Sequence, residues 1–195
     1  SKTVEVGNPV RSRLLHPPTR QEARSFFRLR PEGPVCLVLG GSQGAVGLNR
    51  IIYDLLGRMS SPECSVGHWQ LLWATGPNHY QEAVDTLKRM EIDPVCHSLN
   101  PFIEEMGKAY AAADVVVARA GALTIAELTA LGLPSVLIPL PTAARNHQAR
   151  NARALEEAGA AKVIDQADPQ GAEKLETLLA LWTHAPQELA QMAQA

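Results

Sequence analysis

The sequence predicts an α/β fold: a Rossmann-like parallel sheet with helices on both faces. Short continuous apolar runs, such as residues 35–39 and 114–118, are typical of parallel strands buried on both sides. Helical patterns alternate with these runs almost to the end of the chain, which indicates βαβ units with right-handed crossovers. A length of 195 residues, 46% of them hydrophobic, is sufficient to bury one sizeable core.

Each predicted strand is a short apolar run bounded by glycine, proline or polar turn residues. The first run stops at Gly40 and Gly41, and the run over 114–118 stops before the small residues that follow Arg119. The predicted strands cover residues 35–39, 69–74, 94–98, 114–118, 135–140 and 161–164.

The predicted helices show apolar side chains at helical spacing between the strands. The first begins with a capping box, Thr19 to Glu22, in which a hydroxyl and a carboxylate satisfy backbone N–H groups. The predicted helices cover residues 20–29, 45–59, 80–90, 102–112, 122–131, 146–158, 171–181 and 186–195.

Ligands of open parallel sheets bind outside the carboxyl ends of the strands. This rule directs attention to the loops after Leu39, Ala118 and Leu140. The first loop, residues 40–45, is Gly-Gly-Ser-Gln-Gly-Ala between a strand and a helix. Its glycines would let the backbone approach a phosphate, with the Ser42 hydroxyl as an additional donor. The alternative is a plain turn with Ser42 as the helix N-cap.

The other two loops also combine small residues with polar side chains. In residues 119–127, backbone amides could hold a polar ligand, and the Glu127 carboxylate could accept from two adjacent hydroxyls. The alternative is a capping box from Thr124 to Glu127. In the third loop, Asn146, His147 and Gln148 supply amide and imidazole groups, and helix capping is again the alternative.

Composition excludes several classes of function. With 18 basic and 20 acidic residues the formal net charge is −2, so we expect no nucleic-acid partner. The six histidines form no metal-binding pattern and there is no Walker loop or GxGxxG fingerprint, so neither a metal nor a nucleotide cofactor is expected. The three cysteines are too scattered for a disulfide framework. No apolar run is long enough to span a membrane.

The segment before the first strand is rich in arginine. Six arginines lie between residues 11 and 30, against the single acid Glu22. They predict either a solvated helix face or a patch that faces an anion or an anionic lipid.

Several motifs in register resemble the carboxy-terminal half of the MurG family of peptidoglycan GlcNAc transferases. The motifs are residues 6–11 (VGNPVR), 40–45 (GGSQGA), 102–103 (FI), 119–127 (RAGALTIAE), 146–148 (NHQ), 151–152 (NA) and 157–161 (EAGAA). The resemblance spans nearly the whole chain. It implies the second half of a two-domain GT-B glycosyltransferase, with residues 1–33 as an interdomain lead-in and basic helix and residues 34–195 as the UDP-sugar donor domain.

The resemblance implies a role for individual residues. By position, Arg11 and Ser42 would contact the donor's diphosphate, and the backbone of Ile103 would meet the uracil. Gln148 would bind GlcNAc hydroxyls, whereas Glu127 would hold the ribose diol. The donor sugar and phosphate would be lined by Ala122, Leu123 and Thr124.

The resemblance also implies the reaction and the partners. The chain would bind UDP-GlcNAc for metal-independent, inverting transfer of GlcNAc to lipid I, giving lipid II at the cytoplasmic face of the bacterial inner membrane. Lipid I and the general base would belong to an amino-terminal domain that this chain lacks, so we expect donor binding without transfer. The main alternatives are a separate donor-binding subunit of a split lipid-linked GlcNAc transferase, and a non-catalytic nucleotide-sugar-binding module. Among enzymes, a UDP-sugar epimerase or a lipid glucosyltransferase of the same fold also stays open.

Overall fold

The computed structural model describes residues 8, 10–61, 64–92, 97–143 and 146–195. Within them, six strands form one parallel sheet in the order β3-β2-β1-β4-β5-β6. This order places the first strand next to the fourth, so the direction of winding reverses between them. The strands are β1 (Val35–Leu39), β2 (Gln70–Ala74), β3 (Ser98–Asn100), β4 (Val115–Ala118), β5 (Ser135–Leu137) and β6 (Ala161–Val163).

Helices cover both faces of this sheet, which confirms the predicted Rossmann-like fold. Alternate residues of β1 show the two faces directly: Cys36 and Val38 join one hydrophobic cluster, whereas Val35 and Leu37 join the other. The helices are α1 (Arg20–Phe26), α2 (Val46–Met59), α3 (Tyr80–Arg89), α4 (Met106–Ala112), α5 (Ala122–Leu131), α6 (His147–Glu157), α7 (Gly171–His184) and α8 (Pro186–Met192). The first cluster includes residues of α2, α3, α7 and α8, and the second includes residues of α1, α4, α5 and α6. Over the described residues, no helix combines the length and the apolar character that crossing a bilayer requires.

The predicted boundaries were wrong at three places, two of them beside the sheet edge formed by β3. The strand predicted over residues 94–98 is shifted toward the carboxy terminus, because the residues that pair with β2 are Ser98–Asn100; residues 94–96 lie outside the described residues. The helix predicted from residue 102 begins at Met106, because Phe102 and Ile103 precede it in an irregular loop. The strand predicted to residue 140 ends at Leu137, two residues before Pro139, which has no N–H to donate.

The segment before β1 packs on the same cluster as α4 and α5. Leu14 in a 3-10 turn (Ser12–Leu15) is fully buried, and the turn contacts both helices. The predicted capping box of α1 is confirmed, since Thr19 and Glu22 exchange both bonds. The predicted division between residues 33 and 34 stays a prediction, and residues 6, 7 and 9 of the first motif lie outside the described residues.

The arginines of this segment separate into different roles. Arg24 is 4% exposed and binds Asp114, while the more exposed Arg20 binds the same carboxylate. Arg30 donates to the carbonyl oxygen of His68. A uniformly solvated face is therefore the wrong description for Arg24. Arg11 lies apart from this ion-paired group and lines a cavity at the opposite end of the strands.

Candidate functional site

A cavity of about 550 Å³ lies at the carboxyl ends of β1, β2 and β4. The lead-in turn, the loops after β1 and β3, and the starts of α4 and α5 enclose it. Its lining contains most of the residues that the motifs single out, although these are far apart in the chain. The lining residues are Arg11, Arg13, Leu39, Gly41, Ser42, Ala74, Phe102, Ile103, Glu104, Glu105, Met106, Tyr110, Leu123, Thr124 and Glu127.

The glycines of the first loop are required by its backbone. Gly44 has a φ of +77°, and a Cβ there would lie 2.4 Å from the carbonyl oxygen of Thr75 in the next loop. That carbonyl also accepts from Asn49 of α2, whose side-chain oxygen accepts from the indole of Trp73. The loop is thus held against the loop after β2 by close backbone contact, and Ser42 lines the cavity.

The helix after this loop begins later than the N-cap interpretation of Ser42 requires. The N-cap residue of α2 is Ala45, and no side chain caps that helix. Ser42 is exposed and lines the cavity instead. The alternative assignment of Ser42 as an N-cap is therefore wrong.

The second loop presents the start of α5 to the cavity. The N-cap is Gly121, no side chain caps the helix, and the first turn contains Ala122, Leu123 and Thr124. The N–H groups of a first turn have no partner inside the helix and carry partial positive charge. Because α5 starts at Ala122, the capping box predicted from Thr124 to Glu127 is wrong. Both side chains are instead available to the cavity.

Glu127 is held by a residue that the sequence patterns do not identify. The hydroxyl of Tyr110, in α4, donates to Oε2 of Glu127 over 2.7 Å. Burial, followed by this hydrogen bond, raises the pKa of Tyr110 far above its usual range, so the hydroxyl keeps its proton. In the sequence, Tyr110 has the spacing of an ordinary core residue of α4. Only its contact with Glu127 in the folded structure reveals its role at the site.

The charges around the cavity are mixed. Arg11 and Arg13 lie at one side, at the start of the turn that the buried Leu14 anchors. Glu104 and Glu105 lie in the loop before α4. The cations can therefore meet an anion that also contacts the α5 N-terminus, while the acids lie nearer to the loop of Ile103.

The third loop lies beside this cavity and does not line it. Oε1 of Gln148 accepts from the Leu140 N–H over 3.0 Å, which leaves its amide donors for a ligand. Asn146 is the N-cap of α6 but makes no side-chain cap bond, so the capping interpretation of that residue is wrong. Ala122 also lies outside the cavity lining, and its carbonyl oxygen accepts from Asn8 over 3.4 Å.

Two further side chains, which the sequence analysis does not assign, hold the loops in place. The guanidinium of Arg119 is buried, donates to the carbonyl oxygen of Ile138 over 2.8 Å and also binds Gln166. Burial lowers the pKa of Arg119. Asn151 of α6 donates to the carbonyl oxygen of Ala120 over 3.0 Å. These bonds fix the ends of β4 and β5 relative to α6.

No group of three or more histidine, cysteine, aspartate or glutamate side chains is placed to hold a metal ion within the part of the chain described above. The cavity instead offers cations, helix-start amides, a hydroxyl and an oriented carboxylate. Such groups suit a phosphorylated ligand that also carries a diol.

A protein-family model and several known proteins match most of the chain. The model of the glycosyltransferase family 28 C-terminal domain matches residues 35–195. The UDP-N-acetylglucosamine–N-acetylmuramyl-(pentapeptide) pyrophosphoryl-undecaprenol N-acetylglucosamine transferase of Chlorobaculum parvum is 43% identical over 93% of this chain and 47% of its own length. The protein of the same name from Halothermothrix orenii is 38% identical over 98% of this chain and 51% of its own length.

Solved structures show the same relationship. The crystal structure of Acinetobacter baumannii MurG matches with a TM-score of 0.69 and 31% identity, over 92% of this chain and 48% of that one. The UDP-GlcNAc 2-epimerase of Neisseria meningitidis shares the fold, with a TM-score of 0.56 and 14% identity over 89% of this chain and 42% of that one. The chain thus spans about half the length of the relatives it matches.

Proposed function

The chain belongs to glycosyltransferase family 28, whose C-terminal domain it contains, and from this premise we propose that it binds UDP-GlcNAc as a sugar donor. The reaction served is the transfer of GlcNAc to lipid I, which gives lipid II in peptidoglycan synthesis. The observation that carries the proposal is the single cavity that brings Arg11, Ser42, Ile103, Thr124 and Glu127 together.

The residues of the cavity would each meet one part of a uridine diphosphate. The loop of Ile103 would bind the uracil through backbone groups, and Glu127 would accept from the two ribose hydroxyls. Ser42, Arg11 and the first turn of α5 would surround the diphosphate. The sugar would continue toward Gln148, which lies outside the cavity lining and has amide donors available for its hydroxyls.

The proposed transfer inverts the configuration at the sugar's C1. The acceptor hydroxyl oxygen attacks C1 from the side opposite the diphosphate, and the C1–O bond to UDP breaks with its electron pair. The leaving UDP gains negative charge, which Arg11, Ser42 and the α5 amides can stabilise. The hydroxyl proton passes to a general base. We assign the base and the lipid I site to the remainder of the full-length protein.

This assignment predicts that donor binding and GlcNAc transfer can be separated. The chain alone should bind the donor but not transfer GlcNAc. The full-length protein should transfer GlcNAc at the cytoplasmic face of the inner membrane, as a peripheral enzyme. Lipid II synthesis by this chain alone would contradict the assignment.

Calorimetric titration with UDP-GlcNAc, UDP, UDP-glucose and NAD tests donor binding. We expect UDP and UDP-GlcNAc to bind, UDP-glucose to bind more weakly and NAD not to bind. Glu127→Ala should weaken UDP binding by about 30- to 150-fold, which corresponds to loss of about 2–3 kcal/mol in hydrogen bonds to a charged group. Glu157→Ala, an exposed change at the end of α6, is the matched control and should bind like the unchanged chain.

Two alternatives make different predictions. A non-catalytic nucleotide-sugar-binding module would lose uridine nucleotide binding in Glu127→Ala without any effect on GlcNAc transfer by the full-length protein. A subunit of a split transferase would regain transfer when mixed with a separately encoded acceptor-binding protein. Failure of every uridine ligand to bind, in this chain and in the full-length protein, would refute the proposed function.

A further inference from the structure

Tyr110 contributes one polar atom to the cavity. Its residue is 4% exposed, and its ring belongs to the hydrophobic cluster that also contains Ile103, Ala109 and Leu128. Its hydroxyl alone extends from this cluster to Glu127, which it reaches over 2.7 Å. A phenylalanine would fill the same apolar space. The hydroxyl is thus needed only for its hydrogen bond to the carboxylate.

The bond restricts what Glu127 can do. A free glutamate side chain samples many rotamers, and a ligand that binds it must pay for ordering it. A hydroxyl donor fixed in the neighbouring helix α4 selects one orientation of the carboxylate in advance. It also occupies only one lone pair of Oε2. The other oxygen, Oε1, has no hydrogen-bond partner among the described residues, so the carboxylate can still accept from two neighbouring hydroxyls.

We propose that Tyr110 is a positioning residue that aims the Glu127 carboxylate at the ribose diol, and that this pair makes the site select ribonucleotides over nucleotides without ribose hydroxyls. The inference deepens the proposed function and rests on it. Tyr110 does not itself contact the sugar nucleotide in this arrangement. Its effect is expressed only in ligands that carry the diol.

Ligands with and without the diol separate positioning from packing. We would measure the Kd of UDP and of 2′,3′-dideoxy-UDP by calorimetry for the unchanged chain and for Tyr110→Phe. The unchanged chain should prefer UDP. In Tyr110→Phe, UDP should bind up to about tenfold more weakly, because the ligand must then order the Glu127 side chain itself, and 2′,3′-dideoxy-UDP should bind as before. The preference for the diol should therefore fall by up to about tenfold.

Tyr53→Phe is the matched control, because it removes a tyrosine hydroxyl elsewhere. The Tyr53 hydroxyl is buried in the other cluster and has no hydrogen-bond partner among the described residues. The control variant should retain both affinities. Thermal unfolding of both variants shows whether they are folded. If Tyr110→Phe does not fold, Glu127→Gln provides a second test, because its single amide oxygen cannot serve the tyrosine and both ribose hydroxyls and should also lose the preference.

The outcomes separate the inference from the function. Equal weakening of both ligands in Tyr110→Phe, or an unchanged preference in either Tyr110→Phe or Glu127→Gln, would overturn the positioning role while UDP binding stands. Equal affinity of the unchanged chain for both ligands would also overturn it. If the unchanged chain and the full-length protein bind no uridine nucleotide, the proposed function fails and the inference fails with it.

Discussion

Asp114 links the lead-in segment to the sheet, and its removal should destabilise the fold strongly. Its carboxylate accepts from Arg20 over 2.6 Å, from Arg24 over 3.0 Å and from the Val35 N–H over 2.8 Å. Asp114→Ala removes all three acceptors at once. The carboxylate precedes β4 and the Val35 N–H begins β1, so the change affects the start of both central strands.

The three bonds contribute unequally. The Arg20 side chain is 52% exposed, so its ion pair contributes about 0–1 kcal/mol. Arg24 is buried and keeps its hydrogen bonds to the carbonyl oxygens of Ala112 and Pro31 in the variant. We therefore expect the loss of its bond to Asp114 to cost about 1.5–3 kcal/mol. The Val35 N–H becomes an unpaired donor, at about 1–3 kcal/mol. Because one carboxylate serves all three donors, these values do not add fully, and we expect a loss of about 3–4 kcal/mol in unfolding free energy.

Guanidinium unfolding followed by the fluorescence of the buried Trp69 and Trp73 measures this loss. The stability of Asp114→Asn should lie between that of the unchanged chain and that of Asp114→Ala, because its amide oxygen can still accept from the Val35 N–H. Asp54→Ala, an exposed aspartate in α2, is the matched control and should change stability by less than about 0.5 kcal/mol. A loss below about 1 kcal/mol in Asp114→Ala would refute the reasoning, since orphaning a buried donor alone should exceed it.

Three further perturbations test other parts of the structure. Gly44→Ala should destabilise the chain by at least about 2 kcal/mol in denaturant unfolding, because its φ is +77° and its Cβ would lie 2.4 Å from the Thr75 carbonyl oxygen. Leu14→Ala should cost about 2–5 kcal/mol and also weaken UDP binding in calorimetry, since this buried side chain anchors the turn that holds Arg11. Burial raises the pKa of the Cys36 thiol from 9.0 to about 12. The folded chain therefore favours the neutral thiol, and this contribution to the unfolding free energy should be complete below pH 9.0. It should be lost as pH rises toward about 12, by about 1.4 kcal/mol per pH unit. Unfolding of the unchanged chain and of Cys36→Ala at about pH 8 and about pH 10.5 should show a smaller decrease in the variant.

The sequence predicts the centre of the sheet better than its edge. β1 and β4 are apolar runs buried on both faces, and their composition alone distinguishes them from helices and loops. β3 contains Ser98, Leu99 and Asn100, whose pattern is too short and too polar to identify. Such a strand is defined by its pairing with β2, which is a tertiary contact. The boundary error at β3 lies where that contact decides the structure.

The candidate site divides in the same way. Strand order alone brings the loops of Ser42 and Thr124 to one edge, so the predicted grouping could be derived from topology. The partnership of Tyr110 with Glu127 could not, because it depends on the distance between α4 and α5 on the same face of the sheet. The side-chain caps that the sequence offered as alternatives for α2 and α5 were wrong, although the predicted start of α5 was correct. Both α2 and α5 begin without a side-chain cap, which leaves their first amides available.

The balance of charge at the cavity bears on how a diphosphate could be held. Arg11 and Arg13 are countered by Glu104, Glu105 and Glu127, so the lining carries no excess of positive charge. Long-range attraction of a dianion is therefore weak, and binding must depend on contacts at hydrogen-bond distance. The amides at the start of α5 are suited to this, because their dipole acts over about one turn and adds no net charge. Under the proposed function, such a site would select its ligand by where the diphosphate and the diol lie relative to each other, rather than by its total charge.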